Sequence, residues 1–129
     1  MILSDKIRKE QTEKILIEVK KLIIDGKFEF QPSSKNMATM RKMRRELGIT
    51  YEDFQDEVID TVMNLKIENY YQGPDLDDKP DRDLIFWKFG ITIFNTEIYL
   101  KFDIREVDGK RVVLWSYHIP EHPIVYPFK

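Results

Sequence analysis

The sequence predicts an α+β fold, with N-terminal helices packed on one face of a small antiparallel sheet, and two observations carry that expectation. Apolar residues recur at helical spacing as far as Leu65 and with a period of two after it. Helices first and strands afterwards, without alternation, point to α+β and away from a parallel α/β sheet. With 129 residues the chain is expected to form a single domain over 1–129, since a second would be too small to hold its own core.

Asp5 to Asp25 reads as a long helix, because Ile15, Leu16, Val19, Leu22 and Ile23 line one face and Gly26 is a natural stop. Phe28 and Phe30 alternate with polar neighbours in a short extended piece that Pro32 ends. Asn36 is then expected to cap a second helix over roughly 37–47, closed by Gly48. Thr50 followed by Asp53 resembles a capping box for a third helix, in which Phe54, Val58, Val62 and Leu65 share a side. Strands follow at Leu84–Gly90, Glu97–Arg105 and Arg111–His118, joined by a turn near Asn95-Thr96 and a two-residue hairpin at Asp108-Gly109. Within them Phe86 and Lys88 face away from Ile85, Trp87 and Phe89. Ile98, Leu100, Phe102 and Ile104 face away from Tyr99, Lys101 and Asp103, and Ser116 and His118 face away from Trp115 and Tyr117. A proline-bearing tail, with Pro120, Pro123 and Pro127, closes the chain in irregular form.

Hydrophobic residues at 42% suffice for an interior, while 34% charged exceeds the roughly 25% of ordinary soluble proteins. No apolar run approaches a membrane span and the first residues lack a secretory h-region, so the expected compartment is the cytoplasm, without a membrane partner. Zero cysteine excludes disulfides, thiolate nucleophiles and cysteine metal sites, and leaves His118 and His122 as the only imidazoles. The net charge of −2 makes no global case for nucleic acid. Locally the charges are sorted. Lys35, Arg41, Lys42, Arg44 and Arg45 form an acid-free block, Glu52 to Asp60 form an acidic one, and Asp75 to Asp83, with Pro74 and Pro80, reads as an acidic loop.

Several features could carry chemistry. Tyr99 and Lys101 emerge side by side from one strand, where a lysine can neutralise a phosphate and a phenol can donate to it; cross-strand ion pairs on a solvated face are the other reading. Lys88 joins them if the register allows. His118 could be a general acid or a surface imidazole bonded to backbone. The basic block is either a nucleic-acid footprint through Arg41, Lys42, Arg44 and Arg45, or a face that pairs with acidic neighbours or a partner protein. His118 and His122 with Glu121 could form a metal-dependent hydrolase site, but Pro120 and Pro123 oppose the helix that such spacing serves. The aspartates at 75–83 do not follow a calcium-loop spacing, and no phosphate-cradling glycine loop exists. No metal and no cofactor is therefore expected.

LIIDGKFEF, LGITYEDFQDEVIDTV, NYYQGPD, IFWKFG, EIYLKFDI and LWSYHIPEHPIVYPF, in that order from about Glu18 onward, together resemble the MqsR-like branch of the RelE-type bacterial toxins. The resemblance implies a RelE-like fold and an endoribonuclease that cleaves mRNA without metal or cofactor, the 2′-hydroxyl attacking its own phosphate. Its partners would be single-stranded RNA, a cognate antitoxin and, for some members, the ribosome. The family's strand tyrosine falls on Tyr99 and its neighbouring lysine on Lys101. Lys88 stands in place of a glutamine, and His118 and Gln72 each stand in place of a lysine. On this reading Lys88 and Lys101 hold the phosphate, Tyr99 orients it or assists proton transfer, His118 protonates the leaving group and Gln72 positions RNA. The alternative is a non-catalytic, toxin-like or phage-borne interaction module that docks through its charge blocks.

Overall fold

The computed structural model describes residues 3–77, 84–106 and 108–129. The chain runs α1 (Leu3–Ile24), β1 (Phe28–Phe30), α2 (Ser34–Leu47), α3 (Tyr51–Met63), a 3₁₀ turn (Ile67–Asn69), β2 (Tyr70–Leu76), β3 (Ile85–Ile93), β4 (Thr96–Arg105) and β5 (Arg111–His118). The class is α+β, as expected. The five-stranded sheet has the order β1-β5-β4-β3-β2 and is mixed rather than antiparallel, because β1 runs parallel to β5, with Glu29 opposite Val113.

The helices α1, α2 and α3 together supply one core on one face of the sheet. Leu16, Val19 and Ile23 of α1, Met43 of α2, and Phe54, Val58 and Val62 of α3 pack against Phe89, Leu100, Phe102, Val112, Leu114 and Tyr117. These apolar faces, buried at roughly 1.5–3 kcal/mol per large side chain, make the helices in a chain whose surface is so heavily charged. Gly48 closes α2 at φ 70°, and the Thr50 hydroxyl accepts from the Asp53 amide at 3.2 Å, as predicted.

The Asn36 cap is not what forms. Ser33 caps α2, accepting from the Asn36 amide at 3.2 Å, while the Asn36 side chain is fully buried. Its Nδ2 donates to the Gln31 and Trp115 carbonyls at 2.8 and 3.0 Å, and its Oδ1 accepts from the Tyr117 amide at 2.8 Å. Strand β1 pairs with β5 only as far as Leu114. Asn36 supplies the next rungs, covering a strand edge that would otherwise bury unpaired backbone.

Three further expectations change. The stretch around Pro74 is partly strand, since Asp75 and Leu76 pair with Phe86 and Ile85; Asp78, Asp81 and Asp83 lie outside the described residues. Irregular pairing on either side of Gln72 admits the proline, as a bulged edge strand can. Trp115 does not point into the core, because a bulge sets Lys101 opposite Ser116 but Phe102 opposite Leu114. The extra residue turns Trp115 to the face of Ser116, where its Nε1 donates to Asp103 at 2.7 Å. Finally, the β3–β4 turn is Phe94-Asn95; beyond the last β4–β5 pair, Arg105 opposite Arg111, Asp108 and Gly109 both take positive φ, as the expected turn there requires.

Candidate functional site

The sheet face turned away from the helices is covered at both ends. At one end Phe86 and Val113 are buried, Trp115 lies edge-on to Phe86, and Asp103 is 2% exposed between Trp115 and Arg105. At the other the C-terminal tail crosses the sheet over Gly90, where an added Cβ would come within 2.5 Å of the Tyr126 hydroxyl and 2.6 Å of Ile124. Tyr126 ties the tail down by donating to Glu97 at 2.7 Å, and Phe128 stacks on Tyr70 at 5.1 Å. A cleft of about 320 Å³ remains between these covers.

Gln72 of β2, Lys88 of β3, Tyr99 and Lys101 of β4 and His118 of β5 all line that cleft. The register accounts for it. Lys88 stands opposite Lys101, Gln72 opposite Lys88, Lys101 opposite Ser116 and Tyr99 opposite His118, and directly opposed residues point to the same side. The ladder thus sets Lys101 directly opposite Lys88 on one side and Ser116 on the other. Two lysines directly opposed repel each other. The Asp75 carboxylate offsets this at Lys88, 3.2 Å away, and also accepts from Gln72 Nε2 at 2.6 Å, while the Lys101 ammonium lies 4.6 Å from the Phe86 ring centroid.

Tyr99 is half-buried in an aromatic row, 6.5 Å from Tyr71 and 5.5 Å from His118 between ring centroids. Burial above all, then Tyr71 and Asp75, push its hydroxyl up to about 12. It is therefore a neutral proton donor over the physiological range, not a phenolate base. His118 Nδ1 lies 3.0 Å from the Ile119 carbonyl, which can only accept, so Nδ1 carries a hydrogen.

The basic block divides. Lys42 and Arg45 line a second cleft together with His118, and Arg41 and Arg44 do not line it. His122 and Glu121 share the first cleft with His118. Glu121, however, is ion-paired with Lys35, which holds its carboxyl below the usual range, and no group of three His, Asp or Glu side chains suited to a metal ion occurs among the described residues.

Sequence reasoning missed Asp75, hidden in an acidic stretch whose prolines read as loop, and Tyr71 and Lys35, which no local pattern ties to the sheet face. Arg8 is a further supporting residue. It donates from α1 to the Gly73 carbonyl, which also accepts from the Tyr70 hydroxyl at 2.5 Å, and so anchors the bend of β2 between Gln72 and Asp75. No protein-family model, curated protein or solved structure matches the chain.

Proposed function

We propose that the chain is a metal-independent endoribonuclease cleaving single-stranded RNA, with a RelE-like, MqsR-type fold, acting in the cytoplasm on mRNA as the toxin of a toxin–antitoxin pair. The observation that supports this most is convergence. Five side chains brought together by the resemblance, drawn from four different strands, line one cleft, and among these five are two lysines, a neutral phenol and an imidazole.

Transesterification of RNA requires a base, an acid and cations around the phosphorane; the cleft holds the acid and the cations, and Asp75, bonded to the cleft residues Lys88 and Gln72, is the base in this reading. The carboxylate of Asp75 takes the proton of the 2′-hydroxyl. The 2′-oxygen bonds to phosphorus as the bond to the 5′-oxygen breaks, and His118, protonated at Nε2, gives its proton to that leaving oxygen. The products are a 2′,3′-cyclic phosphate and a 5′-hydroxyl, and solvent returns Asp75 and His118 to their starting states. Lys88 and Lys101 neutralise the non-bridging oxygens, and the Tyr99 hydroxyl donates to one of them.

Purified protein incubated with a single-stranded RNA oligonucleotide at low salt, with chelator present, is expected to yield fragments with those two ends. RNA left intact both with and without ribosomes overturns the reading. One observation favours the second reading, a non-catalytic docking module: α2 and α3 pack side by side carrying blocks of opposite charge. Growth arrest undiminished by Lys101→Ala with His118→Ala puts that reading first.

A further inference from the structure

The cleft does not stop at His118. A second cleft of about 330 Å³ is lined by Lys42 and Arg45 of α2, and it shares Lys35, His118 and Glu121 with the first, so the two adjoin at these side chains. Lys35, Lys42 and Arg45 fall at i, i+7 and i+10, which places them along one flank of α2, beside the buried stripe of Asn36, Thr39 and Met43, whereas Arg41 and Arg44 lie farther round the helix. The join is spanned by the Lys35–Glu121 ion pair, whose side chains are 60% and 58% exposed. An exposed pair of this kind is held weakly and can exchange Glu121 for another anion.

From this adjacency, and resting on the ribonuclease reading, we infer that a single RNA strand passes over His118 and continues along α2, its phosphates held by Lys35, Lys42 and Arg45 and not by Arg41 or Arg44. The protein touches only the sugar–phosphate chain there, so this arm of the groove adds affinity that grows with strand length and carries no base preference.

Binding of non-cleavable 2′-O-methyl oligonucleotides, from three to twelve nucleotides, to wild type and to two charge-matched double variants tests this directly. Lys42→Ala with Arg45→Ala is expected to weaken the long strands by about tenfold or more and to leave the shortest nearly unchanged. The slope of log affinity against log salt should also become shallower, by roughly 0.7 for each phosphate that is no longer neutralised. Arg41→Ala with Arg44→Ala is expected to stay within about twofold of wild type at every length, as an exposed charge remote from the strand should. Equal weakening in both double variants, or in neither, overturns the α2 path while leaving cleavage by the wild type to speak for the ribonuclease reading. Wild type that neither binds nor cleaves RNA overturns both.

Discussion

Tyr99 illustrates how environment assigns a role to a side chain. Its hydroxyl, pushed up to about 12 by burial and by the charges of Tyr71 and Asp75, keeps its proton through neutral pH. Tyr99→Phe should therefore lower the rate of RNA cleavage without altering the shape of its pH profile below about pH 10, the ordinary tyrosine range. A pH–rate comparison of the two proteins checks this, and loss of the profile's ascending limb in the variant would restore Tyr99 as the base. Lys101 is placed differently. Its charge sits over the Phe86 ring and opposite Lys88, so Lys101→Ala should cost about 10²–10³-fold in the cleavage step, with circular dichroism and melting unchanged. Single-turnover kinetics read that effect, and a change confined to KM would assign Lys101 to binding alone.

Among the elements, α2 packs on the sheet through Met43 and is hydrogen-bonded to β5 by the side-chain amide of Asn36. Asn36→Ala removes the partners of the Gln31 and Trp115 carbonyls and the Tyr117 amide, all within a buried seam beside Ser116 and His118. A destabilisation of about 2–4 kcal/mol is expected, read by urea unfolding. A value below about 1 kcal/mol would mean that water replaces the side chain at that edge. The β2 bend makes a comparable demand. Gly73 has φ 122°, and an added Cβ would meet the Phe86 carbonyl at 2.7 Å. Gly73→Ala should cost roughly 2 kcal/mol or more and displace Gln72 and Asp75, so that activity falls even where the variant still folds. Unchanged stability and turnover in that variant would show that the strand can shift at no cost.

Over the whole molecule, three buried or half-buried phenols govern alkaline stability. Burial raises Tyr99, Tyr117 and Tyr126, with Glu97 adding to the shift at Tyr126 and the Thr61 hydroxyl partly opposing it at Tyr117. A group raised on folding holds its proton longer in the native state, so its contribution is complete below its unfolded pKa and disappears as the pH climbs through the folded one. Urea midpoints should accordingly be insensitive to these phenols up to about pH 10 and fall steeply above it. Tyr117→Phe should make that fall shallower, and an identical slope in the variant would remove Tyr117 from the account.

The α+β class, the three helices, the alternation of β4 and the candidate pair Tyr99 and Lys101 are all legible in the sequence, because each rests on local periodicity or on neighbours two residues apart. Capping by Thr50 and Gly48 is equally local. What depends on pairing between distant segments is not legible there. The parallel β1, the edge rungs supplied by Asn36, the bulge that turns Trp115, and the meeting of Asp75, Lys88 and Lys101 each need a register, which no single stretch of chain encodes. By itself the sequence determined which residues are strand, helix or charged face, through side-chain period and composition. Only the tertiary structure decided that Gln72, Lys88, Tyr99, Lys101 and His118 open onto one cleft, because strand pairing is a long-range choice made by the packing of the whole core.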